Sequence, residues 1–363
     1  MHERYFGEHG ATLIELMAGL AITLVIVAAG FTVLTSSNKA MVINDQTAQT
    51  QQSVRVAMEL ISHDLKMAGF GMSGPVGACN TAIVPADNNI GGADAGPDSF
   101  SVVVPTTSST APLWTLSAQA TGPFNAITLQ PSAGTAMASA GFVGGGAISI
   151  GGSVSSTATI AGDTLTLNGA IGAPVVFPIG TPVYMLQCIT YQIIPPPDPN
   201  GLCGAAPCLV RGITAALNCN VAGSPCVSIA DGIEDLQLTY TCDGCNAAVN
   251  GGVADRVVDD QNVINNAFDQ GDFISNTNWA SAPLTPDTIR LVQISIVARQ
   301  AQNDQGFGEG KTAAISTPAA IIVADHNPTT GVFAAGDYNA TTYPTQLRRR
   351  LLTRTVEARN LGL

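Results

Sequence analysis

The pattern of apolar and polar positions opens with a long uninterrupted apolar segment. Residues 12–34 carry one charged side chain, Glu15, and contain no proline. A helix rises 1.5 Å per residue, so a segment of this length reaches across a hydrocarbon core of about 30 Å. Residues 1–11, which precede it, are barely basic and unlike the start of a secretory signal peptide. The pattern therefore predicts a membrane-inserted helix that is retained.

The next segment becomes polar but keeps the helical pattern. Residues 35–67 contain no glycine or proline, and apolar side chains recur there at spacings of three and four. That stripe is Val54, Met58, Ile61, Leu65 and Ala68. The polar side chains assigned to the other face are Gln51, Gln52, Arg55, Glu59, Asp64 and Lys66. Glycines at 69, 71 and 74 and Pro75 end the pattern. One helix is predicted over 11–68, transmembrane at 11–34 and amphipathic at 35–68, where it packs on the chain's own globular domain.

The rest of the chain has the pattern of short strands. Apolar and β-branched residues alternate or cluster between Gly, Pro and Ser. Examples are residues 100–104, 126–129, 147–150, 163–167 and 182–186. We predict an α+β protein in which a long N-terminal helix packs on a large antiparallel β-rich domain over residues 75–363.

Charge limits the partners. The formal net charge is −12, and nucleic acid needs a basic surface, so we expect no direct nucleic-acid binding. Five arginines nevertheless lie between Arg348 and Arg359, interleaved with apolar residues. This spacing favours a terminal strand with one charged face, whose arginines pair with the acidic body or with a partner subunit.

The cysteines indicate disulfide bonds. All eight follow the apolar segment: Cys79, Cys188, Cys203, Cys208, Cys219, Cys226, Cys242 and Cys245. An even count behind an export-like segment is typical of an oxidising compartment. Short spacings favour the pairs 203–208, 219–226 and 242–245, which leaves 79 for 188. A zinc site built from 203, 208, 242 and 245 is the alternative.

Catalytic motifs are absent from the sequence. It contains no nucleophile elbow, P-loop, dinucleotide fingerprint or HExxH, so we expect no enzyme, no catalytic residues and no metal site. Cofactors are expected to be absent. The acidic stretch from Asp255 to Asp272 lacks EF-hand spacing but offers oxygen ligands for calcium, which remains an alternative.

An acid at the start of an apolar helix needs an explanation, because a carboxylate in a membrane segment is costly and is a functional candidate. In one interpretation Glu15 reaches the lipid headgroups from the first helical turn. In the other it pairs with a cation. Cleavage after Gly10 would create one, the α-amine of Ala11, about one helical turn away.

The residues Gly10-Ala11-Thr12-Leu13-Ile14-Glu15-Leu16 resemble the prepilin peptidase site of type IV pilins and type II secretion pseudopilins. The resemblance implies a leader at 1–10 that is cut after Gly10, methylation of Ala11, and a role for Glu15 in entry into a filament. The sequence departs from the family pattern in two ways: Ala11 stands where phenylalanine is usual, and the leader is not clearly basic.

Four further stretches resemble the PilW family of large minor pilins, and related GspJ pseudopilins share several of them. They are residues 59–69, 231–240, 286–299 and 348–360. The resemblance implies a subunit for pilus assembly or priming, at the filament tip, with roles in motility, adhesion or DNA uptake.

The same resemblance implies partners and a location. The partners would be other minor pilins, the major pilin, the prepilin peptidase and a tip adhesin. Before assembly the chain would cross the inner membrane once, with its C-terminal domain in the periplasm, and afterwards lie in the pilus. The alternatives are a GspJ-like pseudopilin of type II secretion, and a membrane-anchored extracytoplasmic binding module or enzyme.

Overall fold

The computed structural model describes most of the chain. The described residues are 12–86, 96–196, 198, 200–213, 218–261, 268–274, 278–280, 282–300 and 349–361. Gly10, Ala11, Arg348 and the last residues of the predicted domain lie outside them.

One helix, α1, runs from Leu13 to Met67 without a break. It begins after Thr12, an N-cap residue, and ends where Gly69 adopts a left-handed backbone with φ of +75°. A Cβ at position 69 would lie 2.8 Å from that of Ala82, so the tight turn needs glycine. The long helix predicted from the apolar and polar pattern is confirmed.

The larger of the two main sheets has nine antiparallel strands. Their order is β1-β2-β9-β5-β6-β7-β4, with β10 also paired to β9 and β11 to β10. The strands are β1 (Ile83–Ala86), β2 (Ser99–Thr106), β4 (Phe124–Thr128), β5 (Gly146–Ile150), β6 (Val154–Ala161), β7 (Thr164–Ile171), β9 (Val183–Ile194), β10 (Cys208–Gly212) and β11 (Cys226–Asp231). Two short strands, β3 (Ala120–Thr121) and β8 (Val176–Phe177), pair with each other.

The smaller main sheet has three antiparallel strands in the order β12-β13-β14. They are β12 (Ile233–Cys242), β13 (Ile289–Arg299) and β14 (Arg349–Glu357). Helix α1 packs against β13 and β14, and also against β2 and β11 of the larger sheet. The predicted α+β class, a long helix on a large antiparallel β domain, is therefore confirmed.

Two apolar clusters are the largest of the four that the described residues form. The first joins the second half of α1 to β12, β13 and the centre of the larger sheet, and Ile61, Leu65, Tyr191 and Ile294 are fully buried in it. The second lies between β4 and β9 and includes a short helix, α2 (Ala133–Ser139). The strand pattern did not predict α2, because its Gly- and Ala-rich sequence lacks a helical apolar stripe.

All eight cysteines are paired. The disulfides are Cys79–Cys188, Cys203–Cys208, Cys219–Cys226 and Cys242–Cys245. These are the pairs that short spacing favoured. Because the four cysteines of the alternative zinc site fall into two separate local bridges, they do not form a shared ligand set in this structure.

Candidate functional site: the start and the anchoring of the long helix

The start of α1 is held by a capping box between Thr12 and Glu15. The Thr12 amide donates to Glu15 Oε2 at 2.9 Å, and the Thr12 hydroxyl donates to the same oxygen at 3.1 Å. In return the Glu15 amide donates to the Thr12 hydroxyl at 3.4 Å. Thr and Glu three residues apart satisfy two helix-end amides in this way.

The capping box explains how an acid can stand at the front of an apolar helix. The carboxylate lies where the free amides and the helix dipole favour negative charge. Both bonds from Thr12 end on Oε2, and Oε1 accepts no hydrogen bond from any residue that the structure describes. Glu15 therefore has one oxygen engaged within its own helix and one that a second donor can reach.

The apolar half of α1 is not covered by any other described part of the chain. Every side chain from Leu13 to Leu34 is exposed, including Leu20 and Ile26 at more than 60%. Helix α1 is long enough and apolar enough to cross a membrane. Burying such a surface is favourable at roughly 25 cal/mol per Å², so this half needs lipid or other helices around it.

The second half of α1 is fixed to the β domain by the predicted stripe. Val54, Met58, Ile61, Leu65 and Ala68 are all buried in the first apolar cluster. The packing is specific to one face, because Gln51, Arg55 and Glu59 on the same stretch are exposed. The two halves of the helix thus meet different surroundings.

The prediction that Asp64 lies on the polar, exposed face of the helix is wrong. It is 4% exposed and accepts a hydrogen bond at 2.6 Å from the hydroxyl of Tyr191 on β9. The guanidinium of Arg211 on β10 donates to the same carboxylate oxygen from Nη2 at 2.9 Å and from Nε at 3.1 Å. A buried carboxylate is stable only with such partners. The neighbouring His63 contacts the other oxygen, Nδ1 to Oδ1 at 3.2 Å, but the hydroxyl and the guanidinium come from residues 127 and 147 positions away.

The surroundings of Tyr191 complete this buried cluster. Its ring stacks on Phe100 at 5.0 Å between centroids. Burial, together with the negative charge of Asp64, raises the pKa of the Tyr191 hydroxyl far above its usual range, so the hydroxyl stays protonated and donates. The cluster ties α1 to two strands of the larger sheet.

The arginines near the C-terminus divide between the two faces of β14. Arg349 is buried and its Nε lies 2.6 Å from Glu234 of β12, while Arg299 of β13 lies 3.4 Å from the same carboxylate. Burial raises the pKa of Glu234, although both guanidinium groups oppose this shift. These ion pairs connect all three strands of the smaller sheet.

The residues that could bind a metal ion lie near the end of β12. Cys242, Cys245 and Asp259 place ligand atoms within 4.8 Å of one another, and the two sulfurs form a disulfide. Asp259 Oδ2 already accepts the amides of Cys245 and Asn246. Asp272 likewise accepts the amides of Gln261 and Asp269. These carboxylates thus satisfy backbone groups, and calcium binding by the 255–272 stretch stays a prediction.

The fold has the arrangement that the sequence resemblance implied. A long helix with an unburied apolar start, capped by a carboxylate and fixed at its other half to an antiparallel β domain, is a pilin-like arrangement.

Residues 204–360 match the family described as PilW, type IV pilus-assembly protein W. This matched part contains β10 to β14, and the predicted resemblance to PilW is confirmed there. The match covers less than half of the chain, and the similarity to type IV pilus-assembly proteins is established for that part.

Among solved structures, a type IV-like pilin from Thermus thermophilus is similar, with 9% sequence identity and a TM-score of 0.33. The similarity covers 86% of this chain and 98% of that one. An endosialidase of phage phi92 shares 11% identity over 62% of this chain and 43% of its own, with a TM-score of 0.16. Neither TM-score supports an argument about function. No curated protein matches the chain.

Proposed function

We propose that this chain is a non-enzymatic minor pilin that helps to start or cap a type IV pilus. The observation that carries the proposal is the contrast along α1. Its apolar half is unburied and begins with a carboxylate that has a free oxygen, whereas its second half is fixed in a large β domain. The first half suits a membrane before assembly and a bundle of neighbouring helices afterwards.

The Glu15 carboxylate supplies the assembly step. Cleavage after Gly10 would expose the amine of Ala11, and an amine from a neighbouring subunit would bind the free oxygen of Glu15. Two opposite charges attract strongly in a low-dielectric helix bundle. The capping box keeps the carboxylate at the helix start while the subunit waits in the membrane.

The size of the β domain supports a position at the tip. The domain occupies most of the chain, and its described part contains two main sheets, a pair of short strands, four apolar clusters and four disulfides. Such bulk is easier to place once at the end of a filament than repeatedly along its shaft. The disulfides support a periplasmic C-terminal domain on a single inner-membrane span. The partners are other minor pilins, the major pilin, the prepilin peptidase and a tip adhesin.

Mass spectrometry of the mature N-terminus tests the proposal. Chain isolated from sheared filaments should begin at a methylated Ala11, and chain from cells without the prepilin peptidase should begin at Met1. A Gly10→Leu variant, which blocks the predicted cleavage site, should remain uncut and stay in the membrane fraction. Assembled filaments that contain the chain with Met1 intact would refute it.

A further inference from the structure

In the smaller sheet, the described strand at one end of the order is β14. It pairs with β13 along its whole length, from Arg349 opposite Arg299 to Glu357 opposite Leu291. Within the described part of the chain, no strand pairs with the other edge. An exposed edge of this kind presents a row of backbone N–H and C=O groups to a further strand.

One face of this edge carries an arginine–leucine stripe, which we define as Arg350, Leu352 and Arg354. Alternate residues of a strand point to the same face, so these three side chains stand in one row. Their partners on β13 are Ala298, Ile296 and Ile294, which are fully buried. The stripe itself is exposed, and 39% of the apolar Leu352 remains accessible.

The two arginines of the stripe differ from the neighbouring arginines in their ion pairing. Arg349 is bound to Glu234, and Arg359 lies 3.4 Å from Glu357. Arg350 and Arg354 form no ion pair with any residue that the structure describes. This is unusual in a chain with a net charge of −12, where carboxylates outnumber cations. Among the described residues, these two guanidinium groups therefore flank an apolar side chain without an ion-pair partner.

We propose that the outer edge of β14 binds an extended acidic segment of another protein chain as a fourth strand. Strand addition supplies backbone hydrogen bonds, and side-chain pockets supply specificity. Alternate side chains of the added strand are spaced about 7 Å apart. Two of its carboxylates would then lie against Arg350 and Arg354, with an apolar residue on Leu352. Arginine binds carboxylates through two parallel N–H donors, which favours an acidic partner.

The proposal is independent of the pilin function, because it uses only the edge, the stripe and their charges. A competing role for edge arginines is to prevent pairing, since charged side chains protect exposed strand edges from aggregation. The two roles predict opposite results when an acidic strand is offered to the protein.

The first experiment offers such a strand to the full chain in detergent micelles. The probe is a labelled nine-residue peptide, the length of β14, with Glu, Val and Glu at three successive alternate positions and Thr at all the others. The control peptide has Lys in place of Glu. Fluorescence anisotropy should show saturable binding of the acidic peptide and none of the basic one. Equal binding of both peptides, or binding of neither, would overturn the proposal.

Charge reversal on the stripe tests its residues. Arg350→Glu with Arg354→Glu should weaken peptide binding about tenfold or more, because the reversed charges repel the probe. The matched control, Arg55→Glu with Arg256→Glu, makes the same change in net charge at two other exposed arginines and should keep wild-type affinity. The milder Arg354→Gln should weaken binding in the same direction without disturbing the fold. Equal losses in the stripe and control variants would show nonspecific attraction and contradict the proposal.

Hydrogen exchange distinguishes strand addition from charge attraction alone. Binding of the acidic peptide should slow exchange of amides in β14 and leave those of β11, one of the edge strands of the larger sheet, unchanged. Affinity without protection in β14 would overturn the proposal. The arginines would then serve only to keep the edge unpaired.

Discussion

The two halves of α1 share one backbone but have opposite relations to the protein. From Leu13 to Leu34 every side chain is exposed, whereas from Val54 to Leu65 one face is buried against two sheets. The described part of the domain buries none of the first half, which therefore needs lipid or other helices around it. The second half is part of the core. A single helix can thus be both an anchor and a part of the domain. Its apolar side chains lie on all sides in the first half and on one face in the second half.

The charged residues of the two halves follow the same division. Glu15 is exposed, and its hydrogen bonds come from Thr12 in its own helix, so one oxygen remains for an intermolecular partner. Asp64 is buried, and two residues far away in the sequence bind it. The first carboxylate is arranged for assembly and the second for folding. Four sets of substitutions test how the two halves differ.

The largest effect is expected from Glu15→Gln, which keeps the side-chain shape but removes the charge. Incorporation into filaments should be almost completely lost, while cleavage after Gly10 proceeds normally. Immunoblots of sheared filaments and of membranes measure both quantities. Glu59→Gln, an exposed acid in the second half, is the matched control and should be incorporated normally. Normal incorporation of the Glu15 variant would contradict the pairing mechanism.

The second effect is on stability and compares isoleucines in the two halves. Ile61→Ala should lower the free energy of unfolding of the domain by about 4 kcal/mol, because it leaves a cavity in a fully buried cluster. Ile26→Ala, at a position that is 65% exposed, should leave domain stability unchanged. Denaturant unfolding of the full chain in micelles, followed by tryptophan fluorescence, measures both. Similar losses in both variants would mean that the first half also packs on the domain.

The third effect concerns the buried cluster of Asp64. Asp64→Ala removes the partner of Tyr191 and Arg211 and should cost about 2 kcal/mol of unfolding free energy, reduced from the value for a fully buried pair because Arg211 is partly exposed. Tyr191→Phe, which removes only the hydroxyl, should cost less. The same unfolding assay applies, with Glu59→Ala as the exposed control. An Asp64→Ala variant with an unchanged free energy of unfolding would show that the cluster does not stabilise the packing of the helix on the domain.

The smallest effect is expected at the helix start. Thr12→Ala removes the N-cap side chain and should weaken the first turn by about 1 kcal/mol. Hydrogen exchange should become faster in residues 13–16 only. Thr23→Ala is the matched control. The Thr23 hydroxyl donates a hydrogen bond to the carbonyl of Gly19 inside the helix, so it does not cap a helix end. Unchanged exchange at the first turn would show that the capping box does not form in micelles.

The sequence allowed a good part of the candidate site to be predicted. The helix, its apolar half, the stripe from Val54 to Leu65 and Glu15 at the start all follow from local spacing, because helix periodicity and capping depend on residues within four positions. The β-rich character follows from short alternating runs in the same way. The leader, the cleavage at Gly10 and the methylation of Ala11 lie outside the described residues and stay predictions.

What local spacing could not provide is the choice of distant partners. Asp64 had the pattern of a polar-face residue, and only folding brings it against Tyr191, 127 positions later in the chain. The same holds for β14, where folding buries the side chain of Arg349 against Glu234. Within the described part of the chain, Arg350 and Arg354 have no ion pair. The sequence by itself determined where the helix lies and which half suits a membrane. The tertiary structure decided which charges are neutralised, because a buried charge needs partners that sequence neighbours rarely supply.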